Sequence, residues 1–102
     1  MSDECAPEQR RAERRDVAIR AELREPGCTR FAVDVEDLST SGFRCETYHV
    51  LPKGGRVFLH LPTFSPLEAH VAWKNGALYG FHFGQPLHVA VFETIAARFR
   101  PR

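Results

Sequence analysis

The sequence predicts an all-β fold finished by one helix: a six-stranded antiparallel β-barrel capped by a C-terminal α-helix. Three observations carry that expectation. Apolar and polar residues alternate with a period of two in a series of short segments between Val17 and Phe83. Clusters of Gly and Pro separate those segments. After Gly84 the apolar residues recur at every fourth position instead, which is the spacing of one helix face. Short strands at regular spacing followed by a single amphipathic helix suit a small curled sheet with the helix over an open end or seam.

The elements follow in order. Val17, Ile19, Ala21 and Leu23 alternate with Ala18, Arg20, Glu22 and Arg24, the pattern of a half-buried strand. Pro26 and Gly27 turn the chain, and Phe31, Val33 and Val35 give a second strand. Ser41 to Thr47 gives a third, and Val57, Leu59 and Leu61 mark one face of a fourth. Leu67, Ala69, Val71 and Trp73 make a fifth, whose parity assigns Trp73 to the core, with aromatic stacking on a ligand as the alternative reading. Asn75-Gly76 lies between two β-like runs and predicts a hairpin into the sixth strand, Ala77 to Phe83. Pro86 suits a first helical position, so the helix is expected over 86–99, with Leu87, Val91, Ile95 and Phe99 recurring at four-residue spacing and Ala90 and Phe92 nearby. The expected organisation is a flexible arginine-rich segment at 1–15 and a barrel domain at 16–100. Residues 1 to 15 contain no Val, Ile, Leu or Phe, and so have little apolar surface to offset the entropy of ordering.

Composition excludes several function classes. The chain has 102 residues, 43% of them hydrophobic and 26% charged, with a net charge of +1. One core of this size holds without disulfide or metal support. The charge balance gives no general attraction to DNA or to an anionic membrane, so a charged partner must be recognised by a local cluster. No apolar run approaches the ~20 residues of a membrane helix, and the N-terminus lacks the apolar core of a secretory signal. A cytoplasmic protein without membrane insertion is expected. Cys5, Cys28 and Cys45 are odd in number and widely spaced, which argues for reduced thiols rather than a disulfide framework or zinc knuckle. His60, His70 and His82 could meet across a sheet, but the five histidines show no compact ligand spacing and no metal site is expected. Without a nucleophile elbow, and with little room in a small barrel for an oxyanion hole, no enzyme or cofactor is expected either.

Two clusters remain. Asp37-Leu38-Ser39-Thr40-Ser41-Gly42 reads D-x-S-x-x-G between the second and third strands. Asp and Ser side chains bond nearby backbone N–H groups in tight turns, and Gly permits a positive φ or close approach to the backbone. Arg10-Arg11-Ala12-Glu13-Arg14-Arg15 contains R-x-x-x-R twice, as Arg10/Arg14 and as Arg11/Arg15. Guanidinium forks grip phosphate bidentately, pair with the O6/N7 edge of guanine, and stack on bases. Taken singly, the first cluster is a turn and the second a solvated run of charge.

Together they resemble a known family. R-x-x-x-R ahead of the first strand, D-x-S-x-x-G after the second, and the late "HVAWKNGALYGFHF" with Val71, Trp73, Gly80, Phe81 and Phe83 are similar to the PilZ domain family, over about residues 10 to 99. The resemblance implies a bacterial receptor for cyclic di-GMP, built as a six-stranded barrel whose N-terminal arginines fold onto the bound dinucleotide. It implies that the motif arginines contact guanine and phosphate, that Asp37 and Ser39 contact guanine and help order the loop, and that Gly42 allows close approach. Strand parity favours Arg10 and Arg14 as the pair, with Arg11 and Arg15 as the alternative.

Three functions compete at this stage. A ligand-sensing module would bind cyclic di-GMP, order its N-terminal segment and regulate a partner protein in trans, since no output domain follows in the sequence. An interaction module would keep the fold and not bind the nucleotide. A small barrel for single-stranded nucleic acid would need a basic groove with exposed aromatics, which the net charge and the inward parity of the aromatics oppose. The presence of both motifs favours the first.

Overall fold

The computed structural model describes residues 14–101. Six strands run in chain order: β1 (Arg15–Arg24), β2 (Phe31–Leu38), β3 (Gly42–Glu46), β4 (Arg56–His60), β5 (Leu67–Asn75) and β6 (Leu78–Phe83), followed by the helix α1 (Val89–Arg98). They close into an antiparallel barrel in the order β1-β2-β3-β6-β5-β4, with β4 returning to pair with β1. Fold class and strand assignments follow the expectation. β1 begins at Arg15, one residue earlier than the expected domain boundary. The expected flexible segment otherwise falls on residues 1–13, which lie outside the described residues. Among the described residues no helix is long and apolar enough to cross a membrane.

The barrel forms because each strand carries one apolar face. Val17, Ile19, Ala21 and Leu23 of β1 are buried and alternate with exposed neighbours. Ile19 pairs with Val35, and Leu23 with both Phe31 and Leu59, so inward rows from three strands meet. Each fully buried aliphatic side chain contributes roughly 1.5–3 kcal/mol relative to exposure. Phe43 stacks on Phe81 at 4.6 Å between ring centroids and meets Phe83 at 5.5 Å, which ties β3 to β6 inside the barrel. Tyr79 is buried, and its hydroxyl accepts from the Leu51 N–H at 3.2 Å, so its polar end is satisfied. Cys45 is buried in the same interior, where desolvation, helped by Glu36 and Asp34, pushes its thiol up to about 12. It is a structural thiol, as expected.

The hairpin between β5 and β6 forms where Asn75-Gly76 predicted one. Asn75 pairs with Leu78 across a two-residue loop, Gly76-Ala77, and Gly76 takes a φ of 63°. Glycine at the first loop position is what that turn class requires.

The helix is shorter than the sequence suggested. It starts at Val89, not Pro86, because His88 is held extended and acts as N-cap: its Nδ1 accepts from the Ala90 N–H at 3.0 Å. The preceding Leu87 N–H donates to the Thr40 carbonyl at 2.7 Å, which ties the segment before the helix to the β2–β3 turn. Phe92, Ile95 and Ala96 form the buried face of α1. The Ala18 N–H donates to the Phe99 carbonyl at 2.9 Å, which fastens the end of the helix against β1 where that strand runs beyond its pairing with β4.

Candidate functional site

Two interruptions of strand alternation build the site. In β2, Val33 and Val35 point inward, and unbroken alternation would send Asp37 inward too. The register slips between Val35 and Asp37: Val35 pairs with Cys45, yet Asp37 pairs with Arg44. The irregularity turns Asp37 to the outer face and returns Leu38 to the core. In β5 the same thing happens between Val71 and Trp73. Val71 pairs with inward Phe81, but Trp73 pairs with outward Gly80. Trp73 is therefore 40% exposed on the outer face, which corrects its assignment to the core.

Gly80 is what lets the indole lie down. A Cβ there would come within 2.1 Å of Trp73 Nε1, so the ring crosses the strand where the side chain is missing. Gly42 serves a different contact. A Cβ there would come within 2.0 Å of the Phe81 carbonyl, so glycine is required by the close approach of the paired strand β6. The resulting shallow cleft is lined by Arg14, Ser39, Ser41, Gly42, Arg44, Trp73, Gly80 and His82, among others. Its enclosed volume is only ≈ 30 Å³, so a bound ring would lie on this surface and be covered from outside.

The alternation of β1 separates the two described arginines. Arg14 continues the outward row. Its Nη1 donates to Asp37 Oδ2 at 3.2 Å, and its side chain is 58% exposed. Arg15 continues the inward row at the mouth of the barrel. Its Nη2 donates to Glu93 on α1 at 3.0 Å and its guanidinium lies 5.6 Å from the centre of the Phe92 ring. The sequence left Arg10/Arg14 and Arg11/Arg15 open. The geometry brings Arg14 to the cleft and turns Arg15 to the helix, while Arg10 and Arg11 lie outside the described residues.

Asp37 is 6% exposed and is shared unequally between two guanidiniums. Arg14 bonds it directly, whereas Arg44 Nη2 stands 3.8 Å from the same Oδ2, beyond hydrogen-bond range. Among the described residues, Asp37 Oδ1 and Arg44 Nε are buried without a hydrogen-bond partner, and the carboxylate nearest Arg44 Nε is Glu36 Oε1, at 3.9 Å. A buried unsatisfied carboxylate oxygen is costly and calls for an explanation.

Ser39 is 1% exposed and turned into the loop. Its Oγ accepts from the backbone N–H groups of Ser41 and Gly42 at 3.2 and 3.1 Å, and lies 3.1 Å from Ser41 Oγ. The Ser39 N–H donates to the Gly42 carbonyl at 2.9 Å, closing the same turn. Of the two roles expected for Ser39, this geometry serves the ordering of the loop, and Ser41 lines the cleft above it.

Of the site residues expected from sequence, Arg14, Asp37, Ser39 and Gly42 come together and Arg15 does not. Sequence reasoning missed Arg44, Gly80 and His82 and placed Trp73 inside. A signal existed for Arg44, which stands on the outward parity of β3 two residues beyond Gly42. None existed for Trp73, because a bulge leaves no mark on the alternation that precedes it. His70 and His82 do meet across β5 and β6, with ring centroids 5.9 Å apart. Among the described residues no group of three or more His, Cys, Asp or Glu side chains is placed to hold a metal ion.

The family model for the PilZ domain matches residues 8–99. The chain belongs to the PilZ domain family. Its match runs from the arginine run through the helix, so the cleft lies wholly within the PilZ domain. No curated protein matches the chain.

Proposed function

We propose that this PilZ domain is a receptor for cyclic di-GMP that binds the dinucleotide on the cleft between Arg14, Asp37 and Trp73 and signals to a partner protein. One observation carries the reading beyond family membership: among the described residues the buried Oδ1 of Asp37 has no hydrogen-bond partner, while its Oδ2 is held by Arg14, which lines an exposed basic and aromatic surface. Guanine presents two neighbouring N–H donors on its Watson–Crick edge, and a carboxylate is the natural acceptor for both. Arg14 holds the Asp37 carboxylate oriented, and its remaining donors fit guanine O6 and N7 or a phosphate oxygen. The Trp73 indole offers a stacking face for a purine, a contact worth roughly 1–3 kcal/mol per base. Ser39 and Gly42 keep the turn and the β3–β6 approach that set these groups in place.

Arg10 and Arg11 supply the rest of the clamp in this reading, drawn onto the two phosphates when the ligand arrives. Ordering backbone costs about 1–2 kcal/mol per residue. Charge-assisted hydrogen bonds return roughly 1.5–3 kcal/mol each, so several must form at once. Binding is then coupled to a new surface around residues 8–16, which a partner can read.

A calorimetric titration with cyclic di-GMP tests the proposal, with backbone NMR signals of residues 8–16 followed in parallel. Saturable binding is expected, with those signals moving on saturation and with Arg14→Ala weakening it while the barrel stays folded. A folded protein that gives no heat and no shift leaves the interaction module as the function.

A further inference from the structure

The outer face of β5 and β6 carries a pair of imidazoles that the proposed nucleotide contacts do not use. His82 lines the same cleft as Arg14 and Trp73. It pairs with Gly42 on one side, where no side chain stands between the ring and the β2–β3 turn, and with His70 on the other. Both histidines are exposed. Their rings are 5.9 Å apart and tilted at 49°.

We propose that His82, backed by His70, is a further ligand-contacting residue of the cleft, which in its imidazolium form binds a phosphate of the dinucleotide and makes the affinity rise as pH falls. The inference rests on the cyclic di-GMP reading. Phosphodiesters stay ionised throughout the neutral range, whereas imidazole changes charge between about pH 5 and 8. A protonated ring beside an anionic ligand therefore gains an interaction that the neutral ring lacks, and binding takes up a proton.

The charged groups around the pair are engaged with one another. On β3, Arg44 faces Glu36 and Asp37. On β5, Glu68 shares the outward row with His70 and accepts from Arg56 of β4, the residue paired with His70, at 3.4 Å. Along the outward row His82 is flanked by two glycines, Gly80 of β6 and Gly84 just beyond its end. The three remaining histidines stand elsewhere: His49 stacks on Phe31, His60 ends β4, and His88 caps α1.

The test is a cyclic di-GMP titration at about pH 6 and about pH 8 on the wild-type domain, His82→Gln and His70→Gln. Wild-type affinity is expected to be roughly fivefold tighter at the lower pH, as one exposed ion pair at the top of its usual range allows. His82→Gln should lose the ratio between the two pH values, whatever its affinity at either one. His70→Gln should reduce the ratio without abolishing it. Calorimetry in buffers of different ionisation enthalpy should register proton uptake for wild type and none for His82→Gln. A wild type that binds with a flat ratio, or a His82→Gln variant that keeps the ratio, overturns the role of the histidines and leaves the receptor standing. No binding at either pH overturns both.

Discussion

Replacing Asp37 by asparagine separates a ligand carboxylate from a structural one. The substitution keeps shape and removes charge. Its structural partner, Arg14, is 58% exposed, so the ion pair belongs to the class of surface pairs, worth at most about 1 kcal/mol. Against that small gain, the wild-type carboxylate is buried with Oδ1 unsatisfied, a cost of roughly 1–3 kcal/mol that the neutral amide lessens. The two effects oppose each other and are similar in size. The folding free energy should change by less than about 1 kcal/mol, a melting shift of no more than about 8 °C for a domain of this size. Binding should respond differently. The amide presents an N–H group where guanine also presents one, so at least one charge-assisted bond of roughly 1.5–3 kcal/mol is lost. With tenfold per 1.4 kcal/mol, affinity should fall by about ten- to a hundredfold. Differential scanning calorimetry and ligand titration on the same preparation give both numbers. An Asp37→Asn protein that binds within a factor of two of wild type refutes the argument, and so does one that melts far lower, since Asp37 would then be holding the barrel together.

Other substitutions divide the same way. Gly80→Ala places a methyl group against the Trp73 indole, which is half-exposed and free to lift; melting should barely change while affinity falls several-fold with the loss of the stacking face, roughly 1–3 kcal/mol at full loss. Gly42→Ala instead drives a methyl group into the Phe81 carbonyl of a paired strand, so it should destabilise the fold by about 1–3 kcal/mol or more, read in urea unfolding. His60 has its pKa lowered by burial and by Arg30 and Arg24, partly offset by Glu22, and its Nε2 is buried without a partner. The folded state therefore binds that proton less readily than the unfolded chain does. The His60 contribution is complete above the unfolded value of 6.5 and is lost as pH falls from there towards the lower folded value. His60→Gln should flatten the dependence of urea midpoint on pH in that window; an unchanged slope counts against the assignment.

The barrel was legible because burial on one face imposes period two, and period two is visible in any strand without a bulge. Ile19 to Leu23 and Leu67 to Val71 could be placed on their faces from sequence alone for that reason. The helix start was not legible. Pro86 has the right φ preference for a first turn, but Leu87 is claimed by the Thr40 carbonyl, a contact between residues 47 positions apart. The D-x-S-x-x-G turn was legible as a turn and ambiguous as a site. Its Ser39 bonds are local and could be anticipated. The outward turn of Asp37 depends on a register slip that no local pattern announces.

That slip has a counterpart, and the two together explain why the site escaped the alternation argument. Asp37 continues the row Val33, Val35; Trp73 continues the row Ala69, Val71. Both are core positions by parity, and both are turned to the outer face by a slip just before them, Trp73 into the cleft and Asp37 onto Arg14, which lines it. An unpaired carboxylate on an inward row inside the barrel would be costly, and an indole there would compete for space with the Phe43, Phe81 and Phe83 cluster. The bulges resolve both conflicts with the same displacement, and leave behind an unsatisfied oxygen and an uncovered ring. Neither feature helps the empty barrel. In the receptor reading proposed above, both gain a use once a flat, donor-bearing, anionic ligand lies across Gly80, which offsets what the two bulges cost in packing.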